Sequence, residues 1–170
     1  MTYSKRRAIF ATALFTAAGV LARPLFVYDW HVSLPLEIFY ALLVINTYPS
    51  VQLFGSIVPQ EDGKHALADI ILAISYLFVA ASLGQPQQFA LCALVMFLIA
   101  AAKYTLMLYD IPHPHLLQRK IRADLLGALM CAGILAAMNL GWILSSAWTL
   151  AILFAFASVY ILAVKPLYHL

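Results

Sequence analysis

Residues 87–109 read QQFALCALVMFLIAAAKYTLMLY, and Lys103 is the only charged side chain among them. A run of this length and apolarity matches the roughly 20 residues that cross a bilayer as a helix. Working outward, comparable runs occupy about residues 8–28, 34–57, 66–84, 124–142 and 146–164, which makes six spans. Turn and helix-stop chemistry separates them: Pro35 follows the first, Pro59 and Gly63 the second, Gly84 and Pro86 the third, Pro112 and Pro114 the fourth. The weakest break is the last, where Asn139, Gly141, Ser145 and Ser146 must turn the chain with little polar help; without that turn five spans remain.

Composition agrees. The 170 residues are 65% hydrophobic and 10% charged, with a mean hydropathy of +0.93, against about 45–50% and 25% for an average soluble domain. The expected fold is all-α: a polytopic transmembrane helical bundle, residues 1–170 forming one integral membrane domain in contact with lipid. Six spans leave no room in these residues for an extramembrane domain of useful size.

Lys and Arg favour cytoplasmic loops. With six spans, Lys5, Arg6, Arg7, Lys64, Arg119, Lys120, Arg122 and Lys165 all fall at one end, and only Arg23 and Lys103 of the 10 basic residues do not. Both termini are therefore expected in the cytoplasm, and the short loops suit a bacterial inner membrane. Tyr28, Trp30, Trp142 and Trp148 mark the outer interface, and Tyr48, Tyr109, Tyr160 and Tyr168 the inner one. Lys5, Arg6 and Arg7 before an apolar run resemble the start of a signal peptide, but the run continues through Val27 without a lone small-x-small site, so it reads as a retained first span.

Several functions lack their signatures. Cys92 and Cys131 fall at different expected depths and do not suit a disulfide. The net charge of +3 comes from Lys and Arg in short loops, not from one exposed face, so no nucleic-acid partner is expected. All five histidines lie in loops, at span ends or in the tail, which argues against intramembrane haem. Phosphate loops, nucleophile elbows, HExxH pairs and voltage-sensor stripes are missing from the sequence.

A weak repeat runs along the chain. Residues 64–71 (KHALADII) and 119–126 (RKIRADLL) share a basic start, Ala-Asp and two aliphatics at a spacing of 55; Pro59, Pro112 and Pro166, with His115 and His169, recur at similar intervals. Three repeated helical hairpins account for this, and so does the ordinary length of two spans with their loops.

Ionisable groups inside a bilayer require a partner, water or a role. Lys103 lies six residues before the end of its span, roughly 9 Å deep at 1.5 Å per residue. Asp110 is too far along the same helix to reach it, leaving Asp69 or Asp124 of neighbouring spans as its carboxylate; the alternative is a snorkelling ammonium. Asp69 and Asp124 also suit the positive end of a helix dipole. In residues 110–115 (DIPHPH), His113 and His115 flank a proline and, with Asp110, His65 and Asp69, supply nitrogen and oxygen donors for a divalent metal; a solvated interfacial loop is the plainer reading. On the outer side Arg23 can pair with Asp29 or Glu37 and staple the first two spans. Asn46, Thr47 and Ser50 surround Pro49 at mid-span, where a missing backbone donor frees the carbonyl of Ile45. Small residues from Gly127 to Ala137 suit close packing at the bundle centre or an oligomer contact.

Three functions follow. A transporter or channel-like protein, as a homo-oligomer, uses Lys103, Asp69, Asp124, Asp110 and Asn46 to line a path for a small ion or polar solute. A non-catalytic subunit scaffolds or regulates a larger membrane complex. A membrane-embedded enzyme uses a divalent metal at His113, His115 and His65 on a lipid headgroup at the cytoplasmic face.

Overall fold

The computed structural model describes residues 2–57, 63–108 and 114–164, with residues 63 and 64 described by backbone alone. Among them the chain forms six helices: α1 (Tyr3–Phe26), α2 (Trp30–Ile57), α3 (Gly63–Ala81), α4 (Pro86–Met107), α5 (Pro114–Asn139) and α6 (Ile143–Val159), with α6 continued by a π-helical turn at Tyr160–Val164. Five are long and apolar enough to cross a membrane, and α3 carries a shorter apolar stretch, His65–Ala81. The protein is a multi-pass integral membrane helical bundle.

The weakest break in the sequence is a well-formed turn. At the end of α5, Gly141 adopts φ +95°; its N–H donates to the Met138 carbonyl at 3.0 Å, and the Trp142 N–H donates to the Ala137 carbonyl at 3.2 Å. That pair of bonds is the Schellman arrangement, with glycine at the left-handed position.

Several helix starts differ from the apolar runs. α2 begins at Trp30, not at about residue 34, because Asp29 caps it: its carboxylate accepts the His31 N–H at 2.9 Å. Pro35 and Pro49 both lie inside α2. α5 begins at Pro114, ten residues before the apolar window, so Arg119, Lys120 and Arg122 stand on a helix and not in a loop. Hydropathy locates the stretch that fits hydrocarbon; it does not register helical turns that project beyond it.

Contacts order the helices as a ring, α1, α2, α6, α5, α4, α3 and back to α1. α2 and α4 bury the most, whereas α5 buries a single stripe (Leu117, Asp124, Ala128, Cys131, Ile134 and Met138) against its neighbours. The small-residue surface of α5 is thus shared: a Cβ on Gly127 would meet the Phe97 ring at 3.0 Å, while Gly133 faces open space. Away from the basic end, Phe39 closes the ring's centre. It stacks on Phe154 (centroids 4.1 Å) and meets Phe89 and Phe97 edge-on at 5.5 and 6.4 Å, a geometry that aromatic quadrupoles favour. Arg23 pairs with Glu37 at 3.5 Å, joining α1 to α2 near that end. Cys92 and Cys131 are both free thiols.

Candidate functional site

At the basic end the ring opens into a cavity of about 1330 Å3 lined by residues from all six helices. Helix direction determines what lines it. α1, α3 and α5 begin at this end and α2, α4 and α6 finish there, so the charges early in the odd helices and late in α4 converge on one mouth.

Two ion networks stand in that mouth. Asp69 of α3 accepts from Arg7 of α1 on one carboxylate oxygen and from Lys103 of α4 on the other. Lys103 is nearly buried, its side chain 10% exposed, so it is held by a neighbouring helix instead of snorkelling to the interface. In the second network Lys120 donates to Asp124 Oδ1 at 2.5 Å along α5. Asp124 is 2% exposed, and its Oδ2 has no hydrogen-bond partner among the described residues.

Tyr104 stands between the two networks. The Lys103 and Lys120 ammonium groups each lie 5.3 Å from its ring centroid, within cation–π range. Its hydroxyl shares a 3.2 Å hydrogen bond with Ser50, and its ring leans on Phe54 at 4.6 Å between centroids, tying α4 to α2. Deeper lies a belt of neutral polar groups. The Thr47 and Tyr76 hydroxyls are hydrogen-bonded at 3.1 Å, and the Asn46 amide donates to Ser158 at 2.7 Å and to the Leu42 carbonyl at 2.9 Å. The Asn46 carbonyl oxygen is buried with no partner among the described residues. Beyond the belt the walls are apolar, formed by Phe15, Leu43, Met96, Phe97, Met130 and Phe154.

The structure thus brings together Lys103, Asp69, Asp124 and Asn46 around one cavity, and pairs Lys103 with Asp69 rather than with Asp124. Asp110 and His113 lie outside the described residues. Of the other two histidines considered as metal ligands, His65 is buried and lines the cavity, while His115 is exposed. Among the described residues no group of three His, Cys, Asp or Glu side chains is placed to hold a metal.

Arg7, Arg119, Lys120, Arg122 and Tyr104 line the cavity although sequence reasoning did not place them in the site. Arg7 and Lys120 read as topology charges before their helices, and Tyr104 as one more aromatic near an interface. The available signal was the helical register: Lys120 and Asp124 are four apart, the spacing at which side chains meet on a helix.

Chemically, among the described residues the lining carries five cations (Arg7, Lys103, Arg119, Lys120 and Arg122) and two carboxylates (Asp69 and Asp124). A cationic excess in a low-dielectric cleft attracts anions. Comparison with protein-family models, with curated proteins and with solved structures finds no match to this chain.

Proposed function

We propose that the protein is a transporter that carries a small negatively charged solute through the cavity at its basic end. One observation carries this reading: all six helices enclose a cavity of about 1330 Å3 whose mouth, among the described residues, holds more cations than carboxylates. The volume exceeds the roughly 300–1,000 Å3 of ordinary small-molecule sites. The aromatic cluster around Phe39 closes the opposite half, and a cavity open to one side and shut to the other is one state of alternating access. By the bias of Lys and Arg the open side faces the cytoplasm, with both termini there, in a bacterial inner membrane.

The test is flux into liposomes containing the purified protein, with labelled inorganic phosphate, citrate and octyl phosphate offered separately. At least one anion enters faster than into protein-free liposomes, and Asp69→Asn and Lys103→Gln, checked to be folded, each lose most of that flux. No protein-dependent entry of any of the three, or wild-type rates in both variants, overturns the reading.

A further inference from the structure

We infer that the anion taken by the cavity is an amphiphile, with its charged head among Lys103, Lys120 and Arg122 and its apolar tail lying toward Phe97 and Phe154. This rests on the anion reading above and narrows it to a chemical class.

The cavity is polarised along its depth. Among the described residues, every charged side chain lining it sits at the mouth, in the stretches 7, 65–69, 103 and 119–124. Met96 lies seven residues deeper than Lys103 on α4, roughly 10 Å at 1.5 Å per residue. Over that distance the lining changes from ionic to hydroxyl and amide groups and then to aromatic and aliphatic ones. A purely polar anion leaves the apolar walls of the deeper half wet, while a neutral amphiphile makes no charge-assisted contact with the cations of the mouth. A molecule with a charged head and a hydrocarbon tail satisfies both ends.

Two further features fit. Between the charged and apolar regions Asn46, Thr47, Ser50 and Tyr76 line the cavity, polar side chains at the depth where a charged head gives way to its tail. At the rim, Phe10 and Leu126 line the cavity and are also 70% and 66% exposed. Apolar surface therefore continues from the cavity wall to the outside of the bundle, a path along which a tail can enter from lipid.

Phosphate and carboxylate heads are equivalent for this lining, and the molecule can come from the bilayer or from water. The probe is labelled octyl phosphate, measured by equilibrium binding to the full chain in phosphatidylcholine nanodiscs, with empty discs subtracted. Octyl phosphate binds at least about tenfold tighter than inorganic phosphate and than neutral octyl glucoside, since burying a few methylenes suffices for such a factor. Arg122→Gln weakens octyl phosphate by about tenfold through the lost charge-assisted contact. Met130→Asn weakens octyl phosphate but leaves inorganic phosphate unchanged, which separates tail recognition from loss of fold.

Displacement by phosphatidic acid placed in the disc identifies a bilayer source, and displacement only by soluble octanoate an aqueous one; either supports the inference. Equal affinity for inorganic and octyl phosphate overturns the amphiphile class and leaves the anion reading standing. Equal affinity for octyl glucoside and octyl phosphate overturns the anion reading itself. Binding as expected with no flux of octyl phosphate in liposomes supports the ligand class and overturns transport alone.

Discussion

Asp69 accepts from two cations on two different helices, and its arrangement with Lys103 determines what each mutation of the pair does. Removing the carboxylate leaves the nearly buried Lys103 ammonium in low dielectric without its partner, the costly way to break an ion pair, whereas replacing both charges with apolar groups removes the demand altogether. Asp69→Ala is therefore expected to destabilise the protein by about 3 kcal/mol, and Asp69→Leu combined with Lys103→Met by much less, compared by Tm in identical nanodiscs. Equal loss in both would mean that the packing of these side chains matters and their charge does not. That Lys103 needs a partner or a route to the interface was legible in the sequence, because it is the one charge inside residues 87–109; the choice of a carboxylate over snorkelling was not, since it depends on α3 lying beside α4. That Asp69 also holds Arg7 was not, since Arg7 belongs to a basic run that topology alone explains. Nothing linear places Tyr104 between Lys103 and Lys120 either, because that position depends on how α4 and α5 pack.

Helix ends and helix approaches carry a different kind of information. The six helices were legible because hydrophobic runs of bilayer length admit little else, but hydropathy put the start of α2 at about residue 34 and that of α5 ten residues too late. Both misplacements have local causes: the Asp29 cap starts α2 before its proline, and the basic turns of α5 are helical although they are not apolar. Asp29→Ala should cost about 1 kcal/mol, read as a lower Tm and faster amide exchange confined to residues 30–34; unchanged exchange there would remove the cap from the account. A sharper constraint joins α1 to the turn between α3 and α4. A Cβ on Gly84 would lie 1.7 Å from the Phe26 carbonyl oxygen, a backbone atom that no rotamer change can clear. Gly84→Ala must push the two segments apart, at a cost of about 3 kcal/mol, and thermal unfolding with and without it checks this. Gly133→Ala, which adds its methyl to open space inside α5, serves as the control and is expected to leave Tm unchanged or raise it, by at most about 1 kcal/mol of stability.

At the scale of the whole molecule, a ring of six helices closed by Phe39 and its neighbours on one side and open among charges on the other has an orientation that chemistry can read. Ala123 lines the cavity beside Asp124, whereas Trp148 and Leu144 lie on α6 at the opposite end of the bundle. With Cys92 and Cys131 replaced by Ala, a cysteine at position 123 is expected to react with a membrane-impermeant maleimide in inverted vesicles and not in intact spheroplasts, and a cysteine at position 144 to do the reverse. Octyl phosphate should slow labelling at 123 severalfold and leave 144 unaffected, because the ligand occupies the basic-end cavity alone. Labelling of position 123 from the outer face would reverse the assigned orientation. Labelling at 123 that is equally fast with and without octyl phosphate would leave the cavity open but unoccupied by that ligand, and the amphiphile would lose its place in it. Position 123 tests the cavity well because it neighbours Asp124 without itself carrying charge, so that protection there reports occupancy of the mouth and not the loss of one of its ion pairs.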